Sequence, residues 1–214
     1  RKAEDLKRYF KTGKGEYAEG DVFLGESIPD QHKVVLKYDS LSLSDIEKLL
    51  TDEIHEYRSC ALFLLVKYYQ KRDKEKAVKV YLRNTSQINN WDLVDLSAYK
   101  ILGDFFLKRD RGELEKLIHS NNLWERRIAI VSTYRFIKEG EVKTTFKYSK
   151  RLLKDEHDLI HKAVGWMLRE AGKKDKEALI EFIDKNYKEM SRTTLRYSIE
   201  KFSPQERQEF LKRK

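Results

Sequence analysis

The sequence predicts an all-α fold: a right-handed superhelical solenoid of HEAT-like helical-hairpin repeats with a basic concave face. Three observations carry this. Only two prolines, Pro29 and Pro204, occur in 214 residues, and the nine glycines are scattered rather than clustered. So few breakers leave little room for many β-turns. Apolar residues recur at three and four positions almost throughout, which is the helical period. Finally, short helix, turn and longer helix alternate with a spacing near 35 residues, the mark of a stacked array.

Taken in order, the chain opens with a helix over Lys2–Lys11, followed by a loop bearing Gly13, Gly15, Gly20 and Gly25. A second helix follows Pro29, and residues 1–44 together read as an N-terminal cap. Tandem repeats occupy 45–214. Their shorter helices are Asp45–Leu50, Lys74–Leu82, Gly112–His119, Val142–Leu153 and Lys176–Asn186. Their longer helices are Glu53–Gln70, Ile88–Leu107, Leu123–Ile137, Leu159–Ala171 and Thr194–Phe202. In the first of these, Tyr57, Ala61, Leu64, Leu65 and Tyr68 share one face. Polar connectors such as Thr51-Asp52, Asn121-Asn122 and Lys173-Lys174-Asp175 separate the helices. Aligning the longer helices puts Arg58, Leu93, Arg127, Lys162 and Arg196 in equivalent slots, spaced 35, 34, 35 and 34. The tryptophan–glycine–tyrosine pattern of the TPR unit is missing, which favours a HEAT-like unit. Such repeats bury their apolar faces only against one another, so residues 1–214 are expected to form a single domain.

Charged residues are 38% of the chain and the formal net charge is +9. The charge suits long solvated helix faces, and its sign favours a polyanionic partner such as nucleic acid or an acidic membrane. With hydrophobics at 40% and aromatics at 12%, disorder is excluded. A lone cysteine, Cys60, excludes an intramolecular disulfide and a Cys-rich zinc site. It fits a reducing compartment, and a cytoplasmic location is expected. No apolar run approaches the roughly 18 residues of a membrane span. The chain starts on Arg1 with no signal-peptide pattern and no initiator methionine, so a few residues are expected to precede it.

Four of the five equivalent slots carry Arg or Lys. In a solenoid such slots line up, and a column of cations along the inner helices would track a phosphate backbone. Solvated helix positions also carry Lys or Arg without any partner. Two residues further on in each repeat stand Cys60, Asp95, Ala129, Val164 and Ser198: four small or apolar side chains and one carboxylate. Trp91, one turn earlier, shares the face of Asp95. A carboxylate beside an indole amid a cationic column points to chemistry on developing positive charge. An ion pair with a neighbouring Arg, or a cap, accounts for it equally well at this point.

The segments Asn89-Asn90-Trp91-Asp92-Leu93-Val94-Asp95, Asn122-Leu123-Trp124-Glu125-Arg126-Arg127 and Asp155 through Glu170 resemble the AlkD-type DNA alkylation repair glycosylases. The resemblance spans nearly the whole chain, with each segment in a different repeat. It implies a HEAT-like solenoid that hydrolyses the N-glycosidic bond of positively charged N3- and N7-alkylpurines in duplex DNA. The concave face would grip the backbone while the lesion stays stacked, unlike enzymes that flip the base into a pocket. Carried over by residue, Asp95 corresponds to the catalytic aspartate, and Trp91 and Trp166 to two tryptophans against the lesion's sugar and backbone. Arg127 corresponds to a phosphate-binding arginine and Tyr9 to an N-terminal aromatic near the lesion. Arg58, Lys162, Arg169 and Arg196 complete the expected DNA contacts. One departure is Asp158, where some members carry an aromatic eight residues before the last tryptophan.

The residue types suit that chemistry. An N-alkylated purine already carries positive charge and leaves without a general acid, while the sugar becomes oxocarbenium-like. A carboxylate about 4 Å away contributes roughly 4 kcal/mol at an effective dielectric near 20. Indole faces add on the order of 0.5–2 kcal/mol each toward a cation. Trp124 is expected to pack at a helix start. His157 and His161 lack a third metal ligand and read as surface or capping residues, and His55-Glu56 lacks the second histidine of a zinc-protease motif. No cofactor or metal is expected, and the chain is expected to act as a monomer. A second class remains open, a non-catalytic HEAT-like scaffold binding nucleic acid or protein. The Trp91, Asp95, Arg127 and Trp166 set discriminates, because a scaffold has no need of it.

Overall fold

The computed structural model describes residues 2–213, and every regular element among them is helical. The chain divides into two compact units, Arg1–Phe105 and Phe106–Lys214.

The first unit holds α1 (Lys2–Tyr9), α2 (Ile28–Lys37), α3 (Leu43–Leu50), α4 (His55–Lys71), α5 (Lys74–Arg83) and α6 (Trp91–Ala98). Its centre is α4, against which α2, α3, α5 and α6 all pack. Ala61, Leu62 and Leu65 of α4 are fully buried, as are Leu50, Ile88, Leu93 and Val94 from its neighbours. The glycine-bearing loop is held down by specific bonds. The backbone N–H of His55 donates to the Val22 carbonyl at 2.9 Å. Glu56, itself buried, accepts the N–H groups of Leu24 (3.0 Å), Gly25 (2.9 Å) and Glu26 (3.3 Å). Gly25 is required there: its φ is +91°, and a Cβ would lie 2.9 Å from the Ala3 backbone nitrogen.

The expected helix over Ile88–Leu107 is realised differently. Asn90 caps α6 by accepting the Trp91 N–H at 2.8 Å, and Tyr99–Gly103 then widens into a π-helical stretch before α7 (Asp104–Phe106). Such stretches are rare and recur at functional sites.

The second unit holds α8 (Gly112–Ile118), α9 (Leu123–Lys138), α10 (Lys143–Leu152), α11 (Asp158–Gly172), α12 (Lys176–Asn186), α13 (Arg192–Ser198) and α14 (Pro204–Lys212). Helices α9 and α11 are the long central pair, with α8 and α10 against α9, and α12 and α13 against α11. Gly165 lets α11 and α13 approach closely, since a Cβ there would meet Tyr197 Cβ at 2.5 Å and the Thr194 carbonyl at 2.8 Å. The C-terminal helix is an addition to the expected set. Ser203 and Glu206 form a reciprocal capping box around Pro204 at the first helical position. The expected helix over Thr194–Phe202 ends at Ser198, and this proline starts the next one.

Candidate active site

Helix α6 carries Trp91 in its first residue and Asp95 one turn later. Both are half-buried, so each is supported from behind while part of it meets solvent. Tyr9, 62% exposed at the end of α1, lies edge-on to Trp91 with ring centroids 5.9 Å apart. Tyr9 and Trp91, 82 positions apart in the sequence, thus meet in the first unit, with Asp95 one turn beyond Trp91 on the same helix. Phe10 stacks on Trp91 at 5.4 Å and on Phe23 at 5.0 Å. The charge of Asp95 also reaches Tyr81, whose phenol is pushed up mainly by its burial and further by that carboxylate.

A buried polar cluster stands behind this surface and was not visible in the sequence. His55, 3% exposed, uses both ring nitrogens. Nε2 pairs with Asp92 at 2.8 Å and Nδ1 with Asp21 at 3.3 Å. Asp21 also accepts from Arg58 at 2.7 Å. Burial opposes charging of the imidazole, but the hydrogen bonds to Asp21 and Asp92 outweigh it and push the pKa up to about 9. Burial likewise penalises the Asp21 carboxylate, yet its bonds to His55 and Arg58 hold it below the usual range. Phe23 stacks on the ring at 4.5 Å, and Phe10 lies at 5.1 Å. The adjacency of Asp92 to Trp91 was readable; its partnership with a histidine 37 residues earlier was not.

In the second unit Trp166 is half-buried on α11, with its ring 5.7 Å from that of Tyr134. Lys162, 42% exposed, pairs with Asp158 at 2.7 Å, and Asp158 also accepts from Thr193 at 3.1 Å. The residue that departs from the family pattern therefore ties the start of α11 to α13 and partly neutralises a cation of the column. Arg169 pairs with Glu170 at 3.1 Å and with Glu200. Arg196 is exposed. Trp124 is buried at the start of α9. His157 caps α11 by accepting the Leu159 N–H at 3.1 Å, and His161 bonds the Asp155 carbonyl at 2.5 Å. Among the described residues no three His, Cys, Asp or Glu side chains are grouped to hold a metal ion. None of the described helices is long and apolar enough to cross a membrane.

The cationic column requires correction. Arg58 is 3% exposed, and besides Asp21 its guanidinium donates to the carbonyls of Asp52 and Glu53, both at 2.9 Å. It has no surface to offer a phosphate. Arg127 is 5% exposed and donates to the Leu159 carbonyl at 2.6 Å, joining α9 to α11. A phosphate contact from Arg127 would require it to leave that carbonyl. The bonding pattern also gives the true equivalence. Arg58 grips the carbonyls six and five residues before it, Arg126 does the same to Ser120 and Asn121, and His161 reaches the carbonyl six before it. Arg58 thus matches Arg126, one residue away from the register that spacing suggested.

In each unit helices pack on long central ones, and in the first an aromatic and a carboxylate stand half-buried on one short helix, which defines an α-helical repeat protein carrying a compact polar site. The chain belongs to the DNA alkylation repair enzyme family, whose match runs over residues 1–202. Similar solved structures include a predicted DNA alkylation repair enzyme from Enterococcus faecalis, 20% identical over 95% of each chain with a TM-score of 0.76. AlkD2 from Streptococcus mutans is 21% identical over 93% of this chain and 99% of its own, with a TM-score of 0.58. A third structure, smu.31 from Streptococcus mutans UA159, is 22% identical over 92% and 96%, with a TM-score of 0.56. At these identities the likeness concerns the fold. No curated protein matches the sequence significantly.

Proposed function

We propose that the chain is a monofunctional DNA glycosylase that hydrolyses the N-glycosidic bond of positively charged N3- and N7-alkylpurines in duplex DNA. The observation that carries this is the pairing of Asp95 with Trp91 on one turn of α6, with Tyr9 folded against the indole. Family membership makes alkylation repair the setting.

In this mechanism the bond from C1′ to the purine nitrogen breaks, and its electron pair neutralises the departing cationic base. Positive charge moves to the sugar. Asp95 stabilises it there, and the roughly 4 kcal/mol expected at about 4 Å corresponds to about three decades of rate if felt only in the transition state. Water then adds to C1′, and its proton passes to Asp95 or to solvent. Trp91 of the first unit and Trp166 of the second each offer a π face that stabilises a cation. Lys162, Arg169 and Arg196 of the second unit, and Tyr9 of the first, supply the backbone contacts. Arg127 supports the second unit's surface through the start of α11. No cofactor is needed, and the protein works as a monomer in the cytoplasm.

The test is single-turnover base release from methylated duplex DNA by wild type and Asp95→Asn, with melting temperature as a folding control. Wild type should release base and the folded variant should be two to three decades slower, following the Coulomb estimate. Equal rates would remove Asp95 from catalysis. Duplex binding with no base release by wild type would favour the scaffold.

A further inference from the structure

Trp91 and Asp95 owe their placement to a short helix, and His55 bonds a side chain of that helix's first turn. Its Nε2 meets Asp92, which lies one residue after Trp91 and three before Asp95. Its Nδ1 meets Asp21, in the loop that follows α1. The same ring stacks on Phe23 and lies tilted against Phe10, and Phe10 in turn stacks on Trp91. One buried side chain thereby connects the N-terminal loop, α4 and α6, and touches the aromatic pile that supports the half-buried indole.

We propose that His55 is a positioning residue that, through Asp92, fixes the first turn of α6 and so aims Trp91 and Asp95. This rests on the glycosylase reading for its effect on rate, though not for its effect on α6.

The charge balance of the cluster supports the role. His55 faces two carboxylates, Asp21 from the loop and Asp92 from α6. Arg58 on its own helix shares Asp21, and the carboxylate of Glu56, beside it, is spent on the Leu24, Gly25 and Glu26 amides. Asn90 donates to Asp21 at 3.5 Å, bringing the cap residue of α6 into the same network. Two carboxylates against one guanidinium leave one negative charge, which a protonated imidazole cancels. A protonated ring also donates from both nitrogens, as two carboxylate acceptors require, whereas a neutral ring donates from only one. Loss of the proton would remove one of the two imidazole N–H donors from the cluster and so weaken its hold on the turn carrying Trp91.

The experiment compares wild type, His55→Gln, Asp92→Asn and the double variant. Base release is measured in single turnover from a duplex carrying N7-methylguanine between pH 7 and 9.5. Duplex affinity and hydrogen exchange of the α6 amides are measured on the same proteins. Misplacement of about 1 Å in an active site can cost about a hundredfold, so each single variant should be about ten- to a hundredfold slower. The double variant should be no slower than the slower single, because both act on one link. The α6 amides should exchange faster in all three variants, while duplex affinity stays within about twofold. Wild-type base release should fall on the alkaline side near pH 9, and that limb should vanish in His55→Gln. Losses that multiply in the double variant, or wild-type rates with unchanged α6 exchange in His55→Gln, would overturn the proposal. Should wild type release no base at all, the glycosylase reading fails separately, and α6 exchange alone decides: faster exchange sustains the positioning role and unchanged exchange ends it. If His55→Gln does not fold, the same comparison of Asp92→Asn with wild type decides.

Discussion

Raising the pH should destabilise this protein in a window that one residue defines. His55 is buried, and its pKa rises from 6.5 to about 9 on folding because two carboxylates grip the ring. A group whose folded pKa is raised contributes stability that is complete below the unfolded pKa and lost as pH climbs through the folded one. The window is therefore about pH 6.5 to 9. A rise of about 2.5 units at 1.36 kcal/mol each corresponds to about 3 kcal/mol. Most other groups titrate elsewhere. Cys60 is pushed by burial up to about 11 and remains a thiol, and Asp21, being lowered, loses its contribution only on the acid side; His157, lowered chiefly by burial, works in the opposite sense at the acid end of the series. The assay is urea unfolding at pH 6, 7, 8, 9 and 9.5. Wild type should lose about 3 kcal/mol across the series, and His55→Gln should show a nearly flat line starting lower. A flat wild-type profile, or a variant that keeps the full slope, would refute the assignment of charge to this imidazole.

Further predictions test the neighbouring structure. Gly165→Ala should destabilise by about 1–3 kcal/mol in thermal melts, because the added methyl meets Tyr197 and the Thr194 backbone. Arg58→Met should cost about 3–5 kcal/mol in urea unfolding, since it leaves a buried carboxylate short of a partner. Its salt dependence of duplex binding should not change, whereas Arg196→Ala should reduce that slope by about 0.9. Asp158→Ala should raise duplex affinity and the salt slope by releasing Lys162; a fall in both would show that the ion pair orders the contact instead.

Local chemistry was legible in the sequence where it depended on one helix. The helical period, the shared face of Trp91 and Asp95, the packing of Trp124 at a helix start and the capping role of His157 all follow from spacings of two to four residues within a helix or its cap. The hidden parts depend on distant partners. Nothing near Arg58 announces that Asp21, 37 residues earlier in a glycine-bearing loop, will claim its guanidinium. His55 lies midway between two carboxylates, 34 and 37 residues away, and no periodicity links the three. Helix α14 is the opposite case. Ser203, Pro204 and Glu206 form a complete start signal, and reading Pro204 only as a breaker conceals it.

The misplaced column has a simple geometric origin. Successive residues on an α-helix point about 100° apart, so neighbouring cations on one helix face quite different surroundings. Arg126 grips loop carbonyls and Asp155, whereas Arg127 turns to the Leu159 carbonyl. His161 clamps the carbonyl of Asp155, whereas Lys162 points out to Asp158 and solvent. In each pair one side chain closes the turn that leads into its helix and the next faces elsewhere. A repeat of 34 or 35 residues is uncertain by one, and that single step exchanges the clamp for a residue with different surroundings, the buried Arg127 in one repeat and the half-buried Lys162 in another. Net charge cannot tell them apart, because a buried Arg58 and an exposed Arg196 count equally toward +9. What separates them is the number of main-chain carbonyls within reach of each guanidinium, and that number depends on how the preceding loop folds back onto the helix.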